Sequence, residues 1–236
     1  MTKRATAGLG AGVLLLAGLL AGCGDDDGGS DFADKSYDDI KKAAIDAMGG
    51  LKAVHVEASI TSEGTEAVLD LSMSEDGSCT GEVGFGDAGA EVLQTADGAW
   101  FKPNEGLLQQ QFGDEATGVI DYIGDKWVVD TSGQVVPSNC DLEEFIEQVT
   151  SDEEGEEDTE VAGTEDVDGA ETVKLTFTND DGDGTAYILT DEPHYIAKFE
   201  MKGDDGGAVT FSDFDEDVDA QTPSSDDVVD LADYQG

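Results

Sequence analysis

Apolar residues recur at every second position in a series of short runs bracketed by Gly and Asp. This two-residue period constrains the chain more than any other feature. Val54, Val56, Ala58 and Ile60 alternate with His55, Glu57, Ser59 and Thr61, and Ala67, Leu69, Leu71 and Met73 repeat the pattern after a Glu-Gly turn. Side chains in a strand point alternately to opposite faces, so such runs predict strands with one buried face and one wet face. Further strands are predicted around Cys79–Phe85, Glu91–Thr95, Ala99–Lys102 and Lys126–Asp130. In the last third, Val173, Leu175 and Phe177 share a face. Thr185–Thr190, Tyr195–Met201 and Ala208–Phe214 follow in an antiparallel meander.

Three stretches switch to a helical period. Ser36 and Asp39 frame a capping box ahead of Tyr37, Ile40, Ala44, Ile45 and Met48, and Gly49-Gly50 ends that helix. Ala116, Val119, Ile120 and Ile123 keep helical spacing, with Asp114 as the expected cap. Asp141 caps a stripe of Leu142, Phe145, Ile146 and Val149. Ser151–Asp158 reads as an acidic, solvated loop. The order of helix, strands, two helices, then strands predicts an α+β fold: a large curved antiparallel β-sheet with helices packed on one face.

The beginning of the chain has a different character. Lys3 and Arg4 precede an apolar stretch from Ala7 to Gly22, which ends at Leu20-Ala21-Gly22-Cys23 before Asp and Gly take over. A spanning helix needs about 20 apolar residues, and this stretch is shorter and rich in glycine. Small residues before a cut suit a signal peptidase, and the run Leu20 to Cys23 resembles the lipobox of bacterial lipoproteins. The expected organisation is a leader over 1–22, a lipidated Cys23 with a flexible acidic tether over 23–34, and a single domain over 35–236. A diacylglyceryl group on Cys23 supplies the two acyl chains that stable anchoring needs. It would hold the protein on the outer face of the cytoplasmic membrane.

Cys79 and Cys140 then remain as one pair in an oxidising compartment, where a disulfide is the default. Neither belongs to a C-x-x-C that would suggest redox work.

Charge removes several functions. The chain carries −45, and Arg4 is its only arginine. Nucleic-acid binding draws on clustered cations and is excluded. Bidentate arginine clamps for phosphate or carboxylate are unavailable. The acids are spread between apolar segments along the whole chain, which argues against wholesale disorder. The excess of Asp over Glu looks like the surface of a salt-adapted protein, whose self-repulsion saline screens.

Asn179-Asp180-Asp181-Gly182-Asp183-Gly184 matches the front half of a calcium loop, but the twelfth position is Thr190 and the flanks read as strands. A hairpin turn is the better reading, and no metal site is expected. His55 falls on the wet face of its strand and His194 follows Pro193 in a turn. With no G-x-S-x-G, P-loop or H-E-x-x-H, no catalytic residues and no cofactor are expected, and the chain does not read as an enzyme.

Several short motifs carry a family resemblance. They are the lipobox, Ala96-Asp97-Gly98-Ala99-Trp100-Phe101-Lys102-Pro103, Gly124-Asp125-Lys126-Trp127, and Phe211-Ser212-Asp213-Phe214 followed by Pro223. With these the chain resembles actinobacterial lipoproteins of the LppX/LprG type, within the LolA-like superfamily, over most of residues 35–232. The resemblance implies a half-barrel sheet closed by helices around a hydrophobic cavity, and a role in binding or carrying lipid. On that basis Val54, Val56, Ile60, Leu69, Leu71, Val173, Leu175 and Phe177 would supply the walls, with Ile120 and Phe145 as a lid. The missing arginine and the acidic balance disfavour an anionic headgroup. A neutral lipid, or the acyl chains of another lipoprotein, suits the electrostatics better. The rival reading is an envelope interaction protein or sensor subunit with a packed core and a protein partner that the sequence does not identify.

Overall fold

A computed structural model of the chain describes residues 28–234, apart from 63, 132, 134, 135, 137–139, 152–156, 180, 181, 204 and 205. The segment 1–22 expected to be a leader, and Cys23, lie outside the described residues. Among the described residues twelve strands form one open sheet. In chain order they are β1 (Ala53–Ser62), β2 (Thr65–Ser74), β3 (Cys79–Phe85), β4 (Ala88–Thr95), β5 (Gly98–Pro103), β6 (Trp127–Val129), β7 (Glu157–Val167), β8 (Ala170–Asn179), β9 (Gly182–Leu189), β10 (Ile196–Met201), β11 (Gly207–Ser212) and β12 (Val228–Val229). Their spatial order is β12-β6-β5-β4-β3-β2-β1-β11-β10-β9-β8-β7. Two meanders therefore meet where β1 pairs β11 antiparallel. The expected α+β architecture is present, with one difference: β12 pairs β6 in parallel, so the sheet is mixed at that edge.

Among the described residues five α-helices accompany the sheet: α1 (Gly28–Ala33), α2 (Tyr37–Met48), α3 (Glu105–Phe112), α4 (Ala116–Ile123) and α5 (Leu142–Thr150). In α2 the Ser36 Oγ accepts the amide of Asp39 at 3.2 Å, and its hydroxyl donates to the Asp39 carboxylate at 2.7 Å. A cap of this kind is worth about 1 kcal/mol. The stripe of Ile40, Ala44 and Met48 is buried against the sheet's inner face. Asp141 caps α5 as its sequence predicts, its Oδ1 accepting the Glu144 amide at 3.1 Å.

Three expectations need correction. Asp114 does not cap α4: it lies within a 3-10 turn, Gly113–Glu115, that joins α3 to α4, and Glu115 takes the N-cap position without a side-chain bond. Part of the segment read as tether is α1, whose Phe32 is buried and stacks on His194 with centroids 3.6 Å apart. Of the segment 151–158 read as an acidic loop, 152–156 lie outside the described residues, and Glu157 and Asp158 begin β7, a mostly exposed edge strand held to β8 by its backbone.

Cys79 and Cys140 form a disulfide, their Cα atoms 5.5 Å apart. It joins the start of β3 to the residue before the Asp141 cap, and so fixes where α5 begins. No helix among the described residues is long and apolar enough to cross a membrane.

Candidate functional site

The inner face of the sheet is built in cross-strand rows, and its character changes from row to row. One row contains Val173, Ile188, Phe211, Val56, Leu71 and Val92, all buried to within a few per cent of complete. Val54 lies one row further along the same strand and is equally sealed. These residues are large, and α2, α4 and α5 pack over them into one core.

The next row, towards the hairpin tips, alternates in size: Leu175, Ala186, Phe199, Val209, Ala58 and Leu69. The outermost row holds Phe177, Gly184, Met201, Gly207, Ile60 and Ala67. Phe177, Met201, Ile60 and Ala67 of this row line open space that the helices do not fill. Gly184 needs to be glycine, because the Phe177 ring lies where its Cβ would be.

Two adjoining grooves result. The first has a volume of about 610 Å³ between α2, the end of α5 and strands β8–β11, with Ala44, Ile45, Leu175, Phe177, Phe199 and Met201 among its walls. The second, about 680 Å³, lies between α3, α5 and strands β1–β4, with Ile60, Leu69, Val83, Leu107 and Phe145 among its walls. Gln148 and Val149 of α5 and Val209 of β11 border both, so the last turn of α5 stands between two lobes. Both volumes fall within the roughly 300–1,000 Å³ of small-molecule sites. At the outer end Ile60 and Phe85 are 42% and 51% exposed and leave apolar surface at the rim of the second groove.

Lys41 is the one charged residue among the described residues lining either groove; the polar remainder is Gln, Asn, Ser, Thr and the Tyr37 hydroxyl. The groups whose ionisation the fold shifts clearly lie elsewhere. Burial, then a hydrogen bond to Asp215, raises the Tyr195 hydroxyl to about 12. The Lys52 amide at 2.8 Å and the Tyr195 hydroxyl at 2.7 Å hold Asp215 below the usual carboxylate range. On the outer face Lys198, 2.7 Å from Glu200, lowers that carboxylate and is itself raised by it. None of these groups faces a groove, so the grooves offer shape and apolar surface in place of acid–base chemistry.

The expected wall residues divide along the rows. Leu175 and Phe177 line the first groove, and Ile60, Leu69 and Phe145 the second. Val54, Val56, Leu71 and Val173 lie in the sealed core, and Ile120 packs against that core from α4. Helix α3 was not anticipated, although Asn104, whose Oδ1 accepts the Leu107 amide at 2.8 Å, is a recognisable cap. Nor was a groove-lining place for the small residues Ala58, Ala67, Ala88 and Ala186. The calcium-like run forms the β8–β9 hairpin, in which Asn179 Oδ1 accepts the Gly182 amide at 3.1 Å. Asp180 and Asp181 lie outside the described residues.

LprF from Mycobacterium bovis superposes with a TM-score of 0.56 at 15% identity, over 80% of this chain and 97% of LprF. The chain shares the fold of LprF. The lipoprotein LppX from Mycobacterium tuberculosis aligns at a TM-score of 0.49 and 17% identity, over 80% of this chain and all of LppX. No protein-family model matches the sequence, and no curated protein matches it. At 15% identity LprF speaks for the fold alone.

Proposed function

We propose that the chain is a lipoprotein of the extracytoplasmic membrane face, anchored through Cys23, which binds or carries an apolar lipid or acyl chain in its paired grooves without catalysing a reaction. One observation carries the reading. In a protein of net charge −45, the described residues around two adjoining grooves include a single charged side chain, Lys41. Each methylene buried contributes about 0.8 kcal/mol. Ten methylenes would give a gross contribution of roughly 8 kcal/mol before the entropic cost of association. That is ample for retention. The surrounding acidity favours an uncharged ligand, and the lipobox supplies the anchor.

The reading is tested by binding of a fluorescent acyl probe to wild type, Val209→Trp and Leu71→Ala. Tryptophan at 209 adds bulk at the junction of the two lobes and should abolish or strongly weaken binding with little loss of stability. Leu71→Ala opens the sealed core and should cost about 2–5 kcal/mol of stability while sparing binding in the folded protein. Equal probe binding by wild type and Val209→Trp, or none by wild type, would remove the proposal.

A further inference from the structure

The face of the sheet turned away from the helices carries a different arrangement. Glu57 of β1 stands directly opposite Asp70 of β2, Asp70 opposite Glu82 of β3, and Glu82 opposite Glu91 of β4. Lys102 of β5 ends the row, its Nζ 3.9 Å from Glu91. Like charges facing one another on neighbouring strands repel. At the end of the row remote from Lys102 the acids meet an imidazole. His55, two residues before Glu57, has its Nδ1 3.0 Å from Ser72 Oγ and its Nε2 3.6 Å from Asp70 Oδ1. One ligand atom each from His55, Glu57 and Asp70 all lie within 4.8 Å of one another.

We propose that His55, Glu57 and Asp70 form a binding site for a divalent transition-metal ion of the zinc type. The imidazole is what separates this cluster from the acidic surface around it. Nitrogen ligation suits Zn²⁺, Co²⁺ or Ni²⁺, whereas Ca²⁺ and Mg²⁺ take oxygen ligands. An Nδ1–H donated to Ser72 Oγ leaves the Nε2 lone pair directed at the carboxylates, the usual way an outer hydroxyl or carbonyl orients a histidine ligand. Bond lengths of about 2.0–2.2 Å put tetrahedral ligand atoms roughly 3.4 Å apart, so small rotations of two exposed carboxylates close the site. The residues flanking it on β11, Thr210 and Ser212, are small, and water would take the remaining position. A bound ion would tie β1 to β2 and neutralise charge at the end of the acidic run remote from Lys102.

The test is a calorimetric titration of ZnCl₂ into the mature protein in detergent. Excess Mg²⁺ and about 0.5 M NaCl would be present, where a Debye length of a few Å suppresses diffuse binding to the acidic surface. One Zn²⁺ per chain is expected, with affinity reduced about tenfold or more in His55→Gln. Nitrogen NMR of the wild type gives a readout independent of any variant: Zn²⁺ should shift the His55 ring and leave His194, stacked on Phe32, in place. Zinc binding that is equal in wild type and His55→Gln, no saturable binding, or an unmoved His55 resonance would each overturn the assignment.

Discussion

Removing the Cys79–Cys140 bridge should cost a calculable amount of stability. The bridge closes a loop with a sequence separation of 61, which contains β3–β6 and both α3 and α4. In the chain-entropy treatment a loop of that size restricts the unfolded chain by about 4 kcal/mol at 25 °C. For a domain of this length each kcal/mol moves the midpoint by about 2–4 °C, so the loss should appear as a fall of roughly 8–16 °C. The assay is thermal melting followed by circular dichroism, comparing oxidised wild type, the reduced protein and Cys79→Ala/Cys140→Ala. Both sulfurs are buried, so the double variant also loses packing, and the reduced protein isolates the cross-link. Because Cys140 immediately precedes the α5 cap, and α5 borders both grooves, the reduced protein should also release an acyl probe faster. A fall of less than about 3 °C would refute the reasoning, since the bridge would then constrain neither the unfolded chain nor α5 in the way described.

Cys23→Ala should prevent lipid attachment; identical masses and identical partition between membrane and aqueous phases for mutant and wild type would refute the anchor. Thermal stability should rise between about 0.1 M and 1 M NaCl as the Debye length shrinks from roughly 10 to 3 Å, and a flat or falling midpoint would count against salt adaptation. Asp215→Asn should lower the Tyr195 titration from about 12 while leaving it above the ordinary tyrosine value, because burial is the larger cause; an unchanged ultraviolet titration would contradict this. The sign differs at the two ends of the pH scale. The depressed Asp215 contributes stability above its unfolded pKa that is lost as pH falls through the folded one, and the raised Tyr195 contributes stability below pH 10 that is lost as pH rises towards 12. The acid-side contribution should be at most about 1 kcal/mol, because Asp215 is exposed and screened by solvent.

The alternating pattern made the sheet and its inner face legible, because a two-residue period translates directly into sidedness. It carries no information about height along a strand. Val56 and Ala58 point the same way from β1, yet Val56 is sealed under the helices and Ala58 lines a groove. The difference lies in where α2 and α5 cross the sheet, and in facing residues such as Val209 that are far away in the chain. Helix α5 could be read from Asp141 and its apolar stripe, whereas β7 could not. Its run Glu157–Val167 is mostly exposed and acidic, and backbone pairing to β8 holds it without the alternation that marks a half-buried strand. Phe32 was hidden for a related reason: one buried aromatic in an Asp- and Gly-rich segment has no periodic neighbours to signal its role. The grooves were harder still, since their walls depend on small residues such as Ala186 and Ala67, which carry no strong pattern of their own.

The most direct measurement of lipid binding is native mass spectrometry of the mature protein, extracted gently from its own membranes and paired with organic extraction of the same sample. The expected result is a fraction of the protein carrying an additional lipid-sized mass that is lost on denaturation, recovered in the extract as an uncharged, acyl-bearing molecule and absent from Val209→Trp. Protein at the mass of the acylated chain alone, with no lipid in the extract and no uptake of an acyl probe, would contradict it.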